Sequence, residues 1–166
     1  NTATILTINS GVTLTVSGAV TIPRANSGTN LIAVGAGTLN AGSIAFTSSG
    51  TAVRHQITIS TGTVNVTGNI AGETGNTSGS ITFSGAGTLG IGGSLFVSAD
   101  GTLTTATGST IEFNGSGNQT VQNFTYSNLT LSTGGTKSLA ASESIGGNLT
   151  VNAGATLDLN TLTANR

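Results

Sequence analysis

Seven times along the chain the same short pattern returns: apolar, Thr, apolar, a three- or four-residue bend containing Gly or Ala, then Thr, apolar, any residue, apolar. The copies read LTINSGVTLTV from Leu6, LIAVGAGTLNA from Leu31, ITISTGTVNV from Ile57, ITFSGAGTLGI from Ile81, LTTATGSTIEF from Leu103, LTLSTGGTKSL from Leu129 and LTVNAGATLDL from Leu149. Six align without a gap and the third needs one deletion. Within each copy the apolar residues alternate with period two, which places them on one face of a strand and Thr on the other. Each copy is therefore two short strands joined by a bend, and helical periodicity is sustained nowhere.

Successive copies start 25, 26, 24, 22, 26 and 20 residues apart. A unit of that length cannot bury its own apolar face, but a neighbour above and another below can, so the apolar residues merge into one column. The expected fold is all-β: a single-domain β-solenoid spanning 1–166, a right-handed parallel β-helix of about seven coils with 20–26 residues per coil. Strands one coil apart lie ~4.8 Å from each other, which makes a rod on the order of 34 Å long. Val20 with Ile22, Ile44 with Phe46, and Leu95 with Val97 read as third strands of their coils.

Stacking also accounts for a scarcity of charge. Charged residues are 5% of the chain, against roughly 25% in ordinary domains. A charge at a repeated position faces its own copy ~5 Å away, and two unit charges there repel by roughly 0.8 kcal/mol even with the dielectric of water. Thr, Asn and Ser form uncharged ladders instead, and β-branching suits a strand. The expected Thr ladder is Thr13, Thr38, Thr63, Thr88, Thr110, Thr136 and Thr156; a second column is Thr7, Thr58, Thr82, Thr104, Thr130 and Thr150, broken at Ile32. Gly11, Gly62, Gly108, Gly134 and Gly154 stand at the bends, where a positive φ is expected.

The stretches 23–29, 50–56, 71–79, 115–127 and 140–147 break the pattern and read as loops on the rim, carrying Arg24, Arg54, His55, Glu73 and Glu143. Loops on one side of a solenoid often bind partners. Arg24, Arg54 and His55 are therefore candidate rim-binding residues for a surface glycan, the plainer alternative being solvated turns. His55, with no Cys or carboxylate at ligand spacing, is expected on the solvated surface.

Some solenoids cleave polysaccharides, a chemistry that needs two carboxylates at working distance or a carboxylate with a basic partner. Glu112 and Asp158 each fall two residues after the shared Thr, in one outward column with Ser138 between them, which implies a gap of ~10 Å. No Lys, Arg, Tyr or Trp accompanies the pair to hold a sugar, so no catalytic residue is assigned. Gly92, Gly93 and Asp100 do not have the spacing of a calcium nonapeptide. The glycines at 35–37 and 90–93 lack the helix and Lys of a phosphate loop, and no metal or cofactor is expected. Paired Thr columns would suit an ice lattice. Here the companion position reads Thr15, Asn40, Asn65, Gly90, Glu112, Ser138 and Asp158, giving T-x-T in the first coil alone.

Nucleic acid is not an expected partner, because phosphate affinity needs clustered cations and Arg24, Arg54, Lys137 and Arg166 are scattered. No run of 18 apolar residues exists to insert in a bilayer. The opening residues lack the basic start and apolar stretch of an export signal, so an exported protein would be read here in mature form. Cysteine is absent, which leaves the redox compartment open.

From 108 to 160 the segments STIEFNGSGNQTVQNFTYSNLTLSTGGTKSL and IGGNLTVNAGATLDL resemble the repeat segments of secreted bacterial adhesin-like β-solenoid surface proteins. The resemblance implies secretion to the cell exterior or surface and a non-catalytic, structural or adhesive role. It assigns no functional residue, because the matching positions are core and corner positions. Terminal coils of a solenoid usually carry a polar or helical cap, and neither end of this chain reads as one. Partners are therefore expected at both ends, either copies stacking end to end or further coils of a longer chain.

Overall fold

The fold is a computed structural model that describes residues 3–47, 52, 54–97, 100–159 and 164–165. Among these residues every strand pairing is parallel, and the chain winds as a β-solenoid of about six turns. Each coil visits three faces in the same order. The first face holds β1 (Ile5–Ile8), β3 (Asn30–Val34), β5 (His55–Ile59), β8 (Gly79–Phe83) and β10 (Thr102–Thr104). The second holds the opening half of β2 (Thr13–Pro23) and of β4 (Thr38–Thr47), then β6 (Thr63–Val66), β9 (Thr88–Ile91), β11 (Thr110–Phe113), β14 (Asn128–Leu131) and β17 (Leu149–Val151). The third begins with the later halves of β2 and β4, to which β7 (Ile70–Ala71) and the Ile70–Leu95 bridge add.

Two three-stranded sheets then take over. β12 (Gln119–Val121), β15 (Thr136–Leu139) and β18 (Thr156–Asp158) follow the second face, and β13 (Thr125–Tyr126), β16 (Glu143–Ile145) and β19 (Ala164–Asn165) lead back to it. They occupy the places of the third and first faces in the last coils. The Thr105 hydroxyl donates to the Thr125 carbonyl at 3.0 Å and Gln119 Nε2 donates to Ile91 O at 2.9 Å, tying these sheets to the coils above.

Burial alternates strictly along β3, β5, β6, β11 and β14, as period-two patterning demands. Ile32, Ile57 and Ile81 stack on the first face, Leu39, Val64, Leu89, Ile111 and Leu129 on the second, and Ile44, Ile70 and Leu95 on the third; all are buried. Each such side chain withdrawn from water contributes about 1.5–3 kcal/mol. Of the residues read as third strands, Ile22, Ile44, Phe46 and Leu95 are buried, whereas Val97 is 49% exposed.

The register corrects the repeat in three respects. Rungs of the second face are 25, 25, 25, 22, 18 and 20 residues apart, so the seven strands bound about six turns rather than filling seven coils. The copies also change corner. The first five straddle the bend from the first face to the second, as β1 to β2 or β10 to β11, whereas those at Leu129 and Leu149 straddle the bend from the second face to the third, as β14 to β15 and β17 to β18. Finally, stretches 115–127 and 140–147 are not plain rim loops, because they contain β12, β13 and β16. These strands are only two or three residues long, and Gln119 and Glu143 occupy inward positions that apolar residues fill elsewhere.

The bends confirm a positive φ at Gly11, Gly108, Gly134 and Gly154, but not at Gly62. Gly62 is required for closeness instead: a Cβ there would lie 2.4 Å from the Gly37 carbonyl of the coil above.

Candidate functional site

The widest regular surface is the outward side of the second face. Thr13, Thr38, Thr63, Thr88 and Thr110 are register partners, so the expected ladder holds through five rungs, and Asn128 continues it. Thr136 and Thr156 are not part of it; they pair with each other on the β15–β18 ladder because the last copies have moved one corner along. The second column also shifts. Thr7 pairs with Ala33, then Thr58, Thr82 and Thr104 follow, so the break falls at Ala33. Residues 9–12 make the first bend one residue longer than 35–37 make the second, which turns Ile32 inward. Thr130 and Thr150 leave this column for the second face, where they stand in line with Glu112.

Two residues along each second-face strand lies the companion column: Thr15, Asn40, Asn65, Gly90, Glu112, Thr130 and Thr150. Its members bond along the rod axis. Asn65 Nδ2 donates to Asn40 Oδ1 at 2.9 Å and Asn40 Nδ2 donates to Thr15 Oγ1 at 3.3 Å. Gly90 makes room for the amides of Asn65 and Asn114, which a Cβ would approach to 3.2 and 2.9 Å. Ser132 donates to Glu112 Oε1 at 2.6 Å. The result is a polar surface whose one described charge is already engaged.

Glu112 and Asp158 do not share a column. Glu112 stands between Gly90 and Thr130 on the second face, whereas Asp158 pairs with Ser138 on the three-stranded sheet that holds β12. The paired-carboxylate geometry read from the repeat is therefore absent, and the change of corner is the reason. Among the described residues no three His, Cys, Asp or Glu side chains gather as a metal site would need.

The rim cations turn back onto the loops. Arg24 Nε donates to the Ala52 carbonyl at 3.4 Å, and Arg54 Nη1 donates to the Asn26 carbonyl, so each guanidinium ties one coil's loop to the next. Both side chains are half-buried. His55 is not on the rim at all. It is the first residue of β5, fully buried, with Nδ1 3.0 Å from Ile22 O and Nε2 2.9 Å from Ser78 Oγ, and it meets the edge of Phe46. A carbonyl only accepts, so Nδ1 carries the proton and the Ser78 hydroxyl donates to Nε2 of the neutral ring. Burial lowers the His55 pKa, opposed by the bond to Ile22 O; the charge of Arg24 lowers it further and that of Glu73 raises it. Period-two alternation back from Ile57 and Ile59 points His55 inward, a signal that its polarity obscured.

Two more ionisable groups are sealed in the core. Lys137 fills the apolar slot of its copy, TKSL where others read TLTV or TVNV, and its ammonium donates to Gly115 O (2.7 Å), Gly117 O (3.0 Å) and Gln119 Oε1 (2.6 Å). Burial lowers its pKa, while the three acceptors replace its hydration shell. Glu143, also read as a rim residue, is 1% exposed with neither carboxylate oxygen hydrogen-bonded. Burial raises its pKa to about 7; the N–H groups of Phe124 and Ala141 lie close enough to oppose this without making a hydrogen bond.

At the two ends the apolar column opens. Leu6 is 43% exposed although its register partner Ile32 is buried, and Leu149 and Val151 are 36% and 43% exposed beneath the buried Leu129 and Leu131. A cavity of about 370 Å³ lined by Leu6, Ile22, Leu31, Ile32 and Pro23 opens at the first coil. Comparison of the chain with protein-family models, curated proteins and solved structures returned no match.

Proposed function

We propose that the chain is a non-enzymatic extracellular structural or adhesive solenoid, acting as a fibre subunit that stacks end to end or as part of an adhesin stalk on a bacterial surface. The supporting observation is the contrast along single ladders, in which Leu129 and Leu131 are buried and Leu149 and Val151, one coil on, are open. Another coil placed against either end would extend the parallel ladders and cover the same apolar column. The resemblance of 108–160 to secreted adhesin-like repeats points the same way. Light scattering over a concentration series and negative-stain microscopy test it: lengthening rods are expected, with loss of association on Leu6→Glu or Val151→Glu. A monodisperse monomer at all concentrations, from the chain and from a version extended by its neighbouring coils alike, overturns it.

A second reading, an ice- or glycan-binding face, gains from the register. Every second-face rung from Thr13 to Thr150 carries Thr in one column or the other, because Thr130 and Thr150 replace Ser138 and Asp158 in the companion column. Thermal hysteresis with ice shaping, abolished by Thr63→Tyr, would support the ice-binding form. Retention on a glycan array, lost with Arg24→Ala and Arg54→Ala, would support binding at the rim.

A further inference from the structure

We propose that the last coils carry a proton switch: Glu143, sealed in the core beside Tyr126 with no hydrogen bond to either oxygen, holds the coil closed when its carboxyl is protonated and loosens it on ionising. A buried carboxylate without partners is one of the costliest groups in a protein interior, whereas the protonated acid is tolerated far better. The sealed position follows from register. Ser144 and Ile145 of β16 pair with Thr125 and Tyr126 of β13 above, and Glu143 and Ser144 pair with Ala164 and Asn165 of β19 below, so Glu143 is covered from both sides.

No described side chain compensates the charge, and the Phe124 and Ala141 N–H groups offset only part of the cost of burial. Tyr126, the titratable group facing Glu143 from β13, donates its hydroxyl to Gln122 O, and burial together with the charge of Glu143 raises its own pKa. Lys137 on β15 turns its ammonium to Gly115, Gly117 and Gln119. His55 lies in the opposite half of the rod, and Arg166 lies outside the described residues.

The direction of the effect follows from linkage. The folded state holds the Glu143 proton up to about pH 7, whereas the unfolded chain releases it near the ordinary value of 4.5. Between those values the folded state binds the Glu143 proton more tightly, so the contribution of Glu143 to stability is greatest in acid, falls as pH rises from 4.5 to 7, and levels off above. Contacts in a solenoid are made only with neighbouring coils, so the loss falls on β13 to β19 before it reaches β1 to β9.

Tyr126 is the one tyrosine of a chain without tryptophan, so its fluorescence reports this site alone. Emission of the full chain should titrate with a midpoint near pH 7 and lose that transition in Glu143→Gln. Hydrogen exchange, corrected for intrinsic rates, should show β16 and β17 opening at least tenfold more often at pH 8 than at pH 5 in the native chain and equally in the variant. A midpoint near 4.5, or the same transition in Glu143→Gln, overturns the proposal. So does a shift of the midpoint in Arg166→Gln, which would mean that the carboxylate is ionised and paired.

Discussion

Lys137 lies one coil from Gln119, its register partner, and donates to the Gln119 side-chain oxygen at 2.6 Å inside the core. Gln119 Oε1 also accepts from Gly115 N, and Gln119 Nε2 donates to Ile91 O and Gly93 O. The pair is a closed polar plug that locks the coil where the copies change corner.

Removing either member should therefore strand polar groups that the other cannot satisfy. Lys137→Ala leaves the buried acceptors Gly115 O and Gln119 Oε1, and the part-buried Gly117 O, short of a donor and should destabilise by about 3 kcal/mol, lowering Tm by about 6–12 °C for a chain of this size. Lys137→Met, which keeps the volume but not the donor, should recover part of that loss, and adding Gln119→Leu should cost more again because it strands Gly115 N and Gly93 O. Thermal unfolding followed by circular dichroism compares these variants.

The change of corner predicts which positions interact. Lys at both Thr63 and Thr88, or at both Thr136 and Thr156, should show a repulsive coupling of about 0.5–1 kcal/mol at low salt, because each pair is directly opposed. Lys at both Thr110 and Thr136, neighbours by alignment of the repeats but on different faces, should be additive. Double-mutant cycles in urea decide between the two registers.

His55 and Glu143 respond to pH in opposite senses. Burial keeps His55 neutral, so its contribution is present above the unfolded value of 6.5 and is lost as pH falls through its lowered folded pKa. In a Glu143→Gln background, stability should decline on acidification below pH 6.5. His55→Leu in that background should be less stable at neutral pH, having lost the bonds to Ile22 O and the Ser78 hydroxyl, but should show no such decline. Urea midpoints from pH 4.5 to 8 test this.

Glycine tolerance should follow what the missing Cβ would meet. Gly79 faces Phe46 across the core, with a built Cβ 2.7 Å from Phe46 Cβ, so Gly79→Ala should cost about 2 kcal/mol. Gly18 has no atom within 4 Å and an ordinary φ, and Gly18→Ala should stay within about 0.5 kcal/mol. Chemical denaturation of the two variants compares them directly.

Much of the fold is legible because period-two alternation and a recurring Thr are local signals. Leu39, Val64, Leu89 and Ile111 occupy the buried slot after the ladder Thr, as their copies require. The candidate site is less legible. His55 and Glu143 are polar residues in loop-like stretches, which read as solvent-exposed until their neighbours are known, and Lys137 is a charged residue in a strand slot that apolar residues fill in other copies. The spacing of Glu112 and Asp158 is equal within their copies, and that equality was misleading.

What the amino-acid order determines by itself is the unit: two short strands, a bend, an apolar side and an uncharged polar side, stacked because a lone unit cannot bury its apolar side. What only the tertiary structure decides is which unit lies over which, and at which corner. Hydrogen bonds along a parallel ladder accept the same motif at either bend, so coil length, 25 residues early and 18 to 20 late, sets the phase. That phase places Lys137 against Gln119, separates Glu112 from Asp158, and seals Glu143 away from water.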